Sequence, residues 1–554
     1  MLFTANNCCF MEKVYDYIVI GSGFGGSVSA MRLAEKGYSV LVIEKGRRWK
    51  DSDFPENNWN VKKYLWFPLF NWLGFQKIDF FREVMILSGA GVGGGSLVYA
   101  NTHMFPPDAF FDNAAWAGLN SNWKTTLEPY YQLAQTMLGT TRYEKTAYED
   151  RVLEEIATEM GREHTYKRVD GVGVYLGKPD IATDPYFKGL GPQRNGCIEC
   201  AGCMVGCRHN AKNTLEKNYL WFAEKFGAQI ISETEVHKIE FANNTYRIHT
   251  QRTGAWVNKR KQVFSAKGLV VSAGVLGTLN LLLRQKYHFK TLPNLSDKLG
   301  HNLRTNSEML CGITNAQHKL NNGLAISSVF NPDDDTHIEL CKYPNHSGLM
   351  TLLGAPATGN APVPVRALKM LWNIVKSPLQ TAKVYFQKDH AKNSIFLLVM
   401  QTYDNAMKMV WKKGLFGGSM NMRNNSANKV PAYIEIGQKV LHRYAQKVMG
   451  VPMNAGTEIL FNMSSTAHIL GGCPMGKTTE EGVVNEQFAA HGYPNLYIAD
   501  GSVVPGNLGV NPSLTITALS EYAMAQIPRK PGSTQKTLQE MMEEVKKSAH
   551  NTLL

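Results

Sequence analysis

The apolar positions set two rhythms near the start of the chain. Tyr15 to Ile20 (YDYIVI) is a short continuous apolar run that reads as a buried strand. A Gly-rich break follows, then a helical spacing of apolar residues that runs to Lys36 and stops at Gly37. Ser39 to Ile43 (SVLVI) reads as a second buried strand, ending at Glu44. Strand, helix, strand in this order predicts a βαβ opening and a parallel sheet. Two later segments carry unusual patterns. Residues 59–81 are dense in aromatic side chains. Residues 366–388 set Arg366, Lys369, Lys376, Lys383 and Lys388 among Leu368, Leu371, Trp372, Val375 and Phe386. Both segments suit apolar lids over a bulky substrate, or cover for the protein's own core. The second also suits peripheral contact with an anionic bilayer. No stretch reaches 18 uninterrupted apolar residues, so no membrane-spanning helix is expected.

The break after the first strand is G-x-G-x-x-G: Gly21, Gly23 and Gly26. The first glycine makes a tight turn, the second lets backbone approach a pyrophosphate, and the third packs helix on strand. The helix N-terminus offers free N–H groups and partial positive charge to phosphates. Glu44, at the end of the second strand, stands where an acid can hold a ribose hydroxyl. With strand, helix and acid in register, the unit is expected to bind a dinucleotide. A second cluster, Gly89, Gly91, Gly93, Gly94 and Gly95, precedes Ser96-Leu97-Val98. So many glycines suit backbone lying flat against a large planar or phosphorylated ligand, or a bulged turn.

Composition narrows the class. The 554 residues are 44% hydrophobic and 19% charged, which excludes wholesale disorder. A net charge of +13 favours acidic partners such as phosphates or an anionic membrane surface. The basic residues are not gathered into a nucleic-acid-binding module, so nucleic acid is not an expected partner. The leading MLFTANNCCF is not a secretory signal, and four of the nine cysteines crowd into eleven residues rather than forming a disulfide framework. The expected location is the cytoplasm, with the membrane surface as a peripheral alternative.

Four blocks carry a resemblance. They are YDYIVIGSGFGGSVSAMRLAEKGYSVLVIEKG; GVGGGSLVYAN; VVSAGVLGTLNLLL followed by LPNLSDKLGHNLRTN; and STAHILGGCPMG with LYIADGSVVPGNLGVNPSLTITALSEYAM. With these the chain resembles the glucose–methanol–choline family of flavin-dependent oxidoreductases, most closely its cholesterol oxidase branch. The resemblance implies FAD rather than NAD. It places FAD contacts at Gly21, Gly23, Gly26, Glu44, Gly94, Gly95, Val236, Asp500 and Gly501. Where the sterol branch has Asn-Gly-Gly after SLV, this chain has Tyr99-Ala100-Asn101, and Asn101 is the candidate substitute.

The resemblance implies oxidation of a bulky apolar alcohol, a sterol among the candidates, with O2 or an electron carrier as acceptor. Such chemistry needs a group to take the hydroxyl proton and a cofactor to take the hydride. His468 in A-H-I-L-G-G-C is the candidate at the hydroxyl. Asn511 in G-V-N-P-S-L-T-I matches the family's Asn near the flavin, and an Asn-Pro turn before a helix is an equally good use of it. Glu339 in H-I-E-L-C-K-Y-P resembles the sterol-branch carboxylate that moves a proton during double-bond isomerisation, or is a strand Glu facing solvent. The Phe that follows Asn-Pro in the sterol enzymes is Ser513 here.

Cys197, Cys200, Cys203 and Cys207 form C-x2-C-x2-C-x3-C, a ferredoxin-like spacing that lacks the usual following Pro. An iron–sulfur cluster, a zinc site and unligated thiols all remain open. The fold expected is an α/β flavoprotein. Its discontinuous Rossmann-like FAD-binding domain spans 11–50, 83–110, 190–310 and 460–528. A substrate domain with an antiparallel sheet and helices spans 51–82, 111–189 and 311–459, and 529–554 forms a polar tail. Two rival functions stand beside alcohol oxidation. One is light-driven fatty-acid decarboxylation on the same fold. The other is an electron-transfer flavoprotein in which the cysteine cluster dominates.

Overall fold

The structure, a computed structural model, describes residues 13–116, 118–387, 389–403, 405–414, 417–424 and 430–551. The leading MLFTANNCCF and Lys388 lie outside the described residues, as does the side chain of Lys383.

The opening pattern folds as its rhythm predicts. β1 (Val14–Ile20), α1 (Phe24–Glu35) and β2 (Val40–Ile43) form the βαβ unit. β1 pairs in parallel with β2 on one side and with the strand Gln262–Val271 on the other. The strand Gln229–Ile231 extends the sheet in parallel beyond β2. Leu496–Ile498 joins Gln262–Val271 in parallel, and the hairpin strands Thr234–Ala242 and Thr245–Arg252 add an antiparallel edge. All four residues of β2 are buried, as expected for a strand covered on both faces.

α1 is buried on nearly every side because a second layer covers it. Its Arg32 is paired with Glu521 at 2.7 Å, on the distant helix Ser513–Ala525. The segment after residue 528 is not a free tail. Lys530 pairs with Asp16, and the backbone N–H of buried Leu538 donates to Glu35. Leu538 opens a last helix, Leu538–Asn551.

A second sheet of seven strands is antiparallel throughout. Its centre is β3 (Met309–Thr314), β4 (Thr336–Cys341) and β5 (Ile395–Gln401), with β5 between the other two. Successive side chains point to opposite faces. Met309, Cys311, Ile313, Ile338, Leu340, Leu397 and Val399 share one apolar cluster with residues of the helices Tyr148–Glu159 and Glu435–Lys447. Glu339, between Ile338 and Leu340, therefore emerges on the opposite face. A small third sheet pairs Ser464–Thr466 in parallel with Val84–Gly89. No helix among the described residues is long and apolar enough to cross a membrane.

Candidate active site

The two Gly-rich loops meet. Gly21 has φ +95°, and a Cβ there would lie 2.2 Å from the Ser272 carbonyl oxygen. Gly94 has φ +50°, and its Cβ would lie 2.6 Å from the Gly23 Cα. Only glycine takes both conformations without strain or clash. At the carboxyl ends of β1 and β2 a crevice of about 830 Å³ opens, lined by Gly21, Gly23, Glu44, Gly94, Gly95 and Val236. This is the expected ligand position for an open parallel sheet. Lys45, Lys77, Arg252 and Arg284 also line it and supply positive charge for a pyrophosphate. Glu44 accepts from the N–H and Oγ–H of Ser22 through Oε2, and from the Gly46 N–H through Oε1. A carboxylate has about four lone-pair sites, so capacity remains for a ribose hydroxyl. The size, the bare backbone and the charge of this crevice fit FAD.

Four of the expected cofactor residues do not line the crevice. A Cβ on Gly26 would meet the Gly21 carbonyl oxygen at 2.1 Å, so that glycine serves helix-on-loop packing. Asp500 is spent internally, accepting from Thr278 Oγ1 and from the Ser502 N–H and Oγ–H. Gly501 packs beside Val275. Asn101 is fully buried with φ +73°, and neither end of its amide has a partner among the described residues. Such an orphaned amide is costly to bury, and a ligand edge would satisfy it.

Three segments bring the candidate catalytic residues together. The strand Ser464–Thr466 delivers His468 just past its end, and Asn511 stands two residues before the helix Ser513–Ala525. The Asn511 amide Nδ2 lies 3.4 Å from His468 Nε2 and 3.3 Å from Glu339 Oε2. Asn511 Oδ1 has no partner among the described residues. Ser513 donates to the Thr102 carbonyl. Glu339 is fully buried, which removes the solvent-facing reading of it.

Two further residues complete the cluster. Glu308, immediately before β3, accepts from His468 Nδ1–H at 2.8 Å, from Thr466 Oγ1 at 2.7 Å and from the Ala467 N–H at 2.9 Å. Burial works against a charged His468 ring, but the Glu308 carboxylate, helped by Glu339, outweighs it and raises the imidazole above its ordinary pKa. His337, two residues before Glu339 on the same face of β4, bridges Glu339 Oε1 at 3.2 Å and Asn331 Oδ1 at 2.9 Å. The sequence reading names neither. The available signal was a carboxylate two positions past LGHNLRTN at the mouth of an apolar strand, and a His with period-2 spacing from Glu339.

A small apolar cavity of about 40 Å³ opens against β3 and β5, and none of His468, Asn511, Glu339, Glu308 or His337 lines it. Leu310, Gly312, Met350, Leu353, Phe396 and Met453 are among its walls. No residue of 59–81 lines it. Trp66, Pro68 and Leu69 from that segment line the dinucleotide crevice instead.

The four clustered cysteines surround one pocket of about 50 Å³. All seven described cysteines are free. Burial pushes the Cys203 thiol up to about 12 and raises Cys197 and Cys200 as well. Lys212 beside them is drawn down to about 8 by burial, and its Nζ is committed to the carbonyls of Leu97 and Cys203. Among the described residues, no group of three or more His, Cys, Asp or Glu is arranged to hold a metal ion. The iron–sulfur and zinc readings of Cys197, Cys200, Cys203 and Cys207 thus gain no support from the structure.

Family models described as GMC oxidoreductase match residues 189–306 and 420–520, and a model of an NAD(P)-binding Rossmann-like domain matches 19–49. A cholesterol oxidase of Acinetobacter baumannii is 41% identical over 528 residues, covering 93% of this chain and 95% of that protein. A cholesterol oxidase of Mycobacterium tuberculosis is 42% identical over 537 residues, covering 94% and 92%. A long-chain-alcohol oxidase of Arabidopsis thaliana is 24% identical, covering 92% of this chain and 67% of that protein. Among solved structures, pyridoxine 4-oxidase from Mesorbium loti shares the fold with a TM-score of 0.59 at 14% identity, covering 92% of this chain and 98% of that one. With the crevice, its paired glycine loops and these relatives in view, the chain belongs to the GMC oxidoreductase family and is an FAD-dependent oxidoreductase acting on CH–OH donors.

Proposed function

We propose that this enzyme oxidises the hydroxyl of a bulky apolar alcohol of the sterol type to a ketone, with O2 as the electron acceptor. The observation that carries this reading is the convergence of His468, Asn511 and Glu339 within hydrogen-bond reach of one another. The relatives named cholesterol oxidase support the substrate class. The relatives named for alcohol oxidation lend nothing to the decarboxylase or electron-transfer readings.

FAD, when bound, supplies the hydride acceptor. The remaining work belongs to the chain. His468 Nδ1–H is committed to Glu308, so Nε2, which faces the Asn511 amide, is the nitrogen left to take the hydroxyl proton. Glu308 holds the ring's tautomer and orientation and favours the imidazolium that results, as a positioning residue. Asn511 presents its amide N–H groups between His468 and Glu339, where they can orient the substrate oxygen. For a sterol with a neighbouring double bond, Glu339 would remove a proton from one carbon and return it to another, so the shift needs no oxidant. His337 holds Glu339 from the far side.

The test is to titrate the FAD-loaded protein, without oxygen, with a sterol and a panel of other apolar alcohols while recording flavin absorbance. Bleaching by the sterol is expected. Bleaching only by unbranched alcohols would replace the sterol, and no bleaching by any alcohol would overturn the reading. Glu339→Gln is expected to abolish isomerisation and spare alcohol oxidation, read by product analysis. Survival of both reactions would remove Glu339 from its role.

A further inference from the structure

One helix on the substrate side turns much of its apolar surface to solvent. α2 (Val363–Lys376) and α3 (Pro378–Tyr385) form an arm after the strand Gly354–Pro356. The residue that α2 buries is charged. Arg366 is 4% exposed, and its guanidinium donates to Asn462 at 2.6 Å and meets Glu458 at 3.4 Å. The side that α2 turns to solvent is apolar. Leu368 is 66% exposed, Trp372 66%, Val375 72%, and Leu379 at the start of α3 is 80%. Val365, Leu371 and Phe386 are also largely exposed. The partner helix of Arg366, α4 (Gly456–Phe461), adds an exposed Phe461. A helix that merely covers its own core turns its apolar stripe inward. This one keeps Val363, Ala367, Met370 and Ile374 half-buried but also exposes Val365, Leu368, Leu371, Trp372 and Val375, and soluble proteins rarely expose an apolar patch of this extent.

Charge identifies the occupant. Between Glu339 and Asp389 the sequence contains no Asp or Glu, and of its six Lys or Arg, Lys342 and Arg366 are buried. Lys369 and Lys376 are exposed, one helical heptad apart, and flank Trp372. An apolar stripe edged by cations and free of acids in its own segment is the chemistry of an anionic lipid surface. It fits a protein partner less well, because protein interfaces usually deplete lysine. We propose that the α2–α3 arm, with α4, is a docking surface for an anionic bilayer. The arm lies in the interface with its apolar side chains among the lipid headgroups and its lysines on the phosphates. The turn Leu349–Leu353, which walls the apolar cavity, leads through Gly354–Pro356 and six further residues into α2. The proposal does not depend on which alcohol is oxidised.

The experiment is flotation of the full-length, FAD-loaded protein with vesicles of phosphatidylcholine, with and without phosphatidylglycerol. Binding to the anionic vesicles that weakens with added salt is expected. The double variant Leu371→Asp, Trp372→Asp should lose roughly tenfold in vesicle affinity while keeping its flavin absorbance and its turnover of a water-soluble alcohol. Lys369→Glu with Lys376→Glu should lose about fivefold for each lysine on anionic vesicles only. Hydrogen exchange of residues 363–386 in the unmodified protein gives a readout that needs no variant, and protection by vesicles is expected there. Three results would each overturn the proposal: no binding to either vesicle, binding that the variants leave unchanged, or a wild-type dimer that Trp372→Asp converts to monomer. Vesicle binding without sterol turnover would leave docking standing and refute only the substrate reading.

Discussion

His468 illustrates how one carboxylate can decide a residue's chemistry. A buried imidazole left alone would lose its proton easily, because the charged form is poorly solvated. Glu308 reverses this and raises the pKa. As a base, His468 works only once deprotonated, so the rate should rise with pH through that raised value. Glu308→Gln removes the charge, lets burial dominate and draws the pKa down. The rising limb of the kcat/KM profile should therefore move to lower pH, with kcat reduced by about 10²-fold from poorer orientation. An unmoved limb would show that Glu308 only props the loop. The same linkage affects stability. The raised folded-state pKa contributes stability that is complete below the ordinary His value and is lost as pH rises through the raised one. His468→Ala should lower turnover on the order of 10²–10⁴-fold with FAD still bound. Retained turnover would assign the proton to another group. His468, Asn511 and Glu339 were legible in the sequence because motifs surround them. Glu308 was not, because its partner is 160 residues away and nothing local marks the pairing.

Among elements, the two glycine loops act as one device. The first was readable from spacing within a strand–turn–helix unit, since its demands are local. That the second presses against it, Gly94 on Gly23, depends on how the strand Val84–Gly89 is packed. Gly94→Ala places a methyl 2.6 Å from the Gly23 Cα at φ +50°. Backbone cannot yield as a flexible side chain does, so the loops must separate. The expected result is protein purified largely without flavin, measured as the ratio of flavin to protein absorbance, while circular dichroism stays near wild type. Full flavin content would mean that the contact is dispensable. The segment 59–81 shows the limit of composition. Its aromatic density suited a ligand cover or a cover for the core, but only the tertiary path showed that Trp66, Pro68 and Leu69 reach the dinucleotide crevice.

For the whole molecule, a few long-range polar ties hold distant segments in one core. Arg32, Tyr219 and Glu521 meet in the interior, with Glu521 accepting from both partners at 2.7 Å. Glu521→Ala leaves Tyr219 without its acceptor and Arg32 with Glu35 as its remaining carboxylate, so it should cost about 2–3 kcal/mol. Urea unfolding monitored by fluorescence measures this, and a cost below about 1 kcal/mol would show that water or a neighbour replaces the carboxylate. By itself the sequence determined what is local: the βαβ opening, the bare backbone for a dinucleotide, the family, and the motif residues proposed as the catalytic cluster. These follow from period, turn chemistry and short spacing, which act over a few residues. The tertiary structure decided what depends on distant encounters. It buried Glu339 and set Asn511 between it and His468. It supplied Glu308 and His337, gathered the four clustered cysteines as free thiols around one small pocket, and turned much of the apolar surface of α2 outward. Each of these is fixed by which buried groups must satisfy one another, and that is settled only when segments hundreds of residues apart share one core.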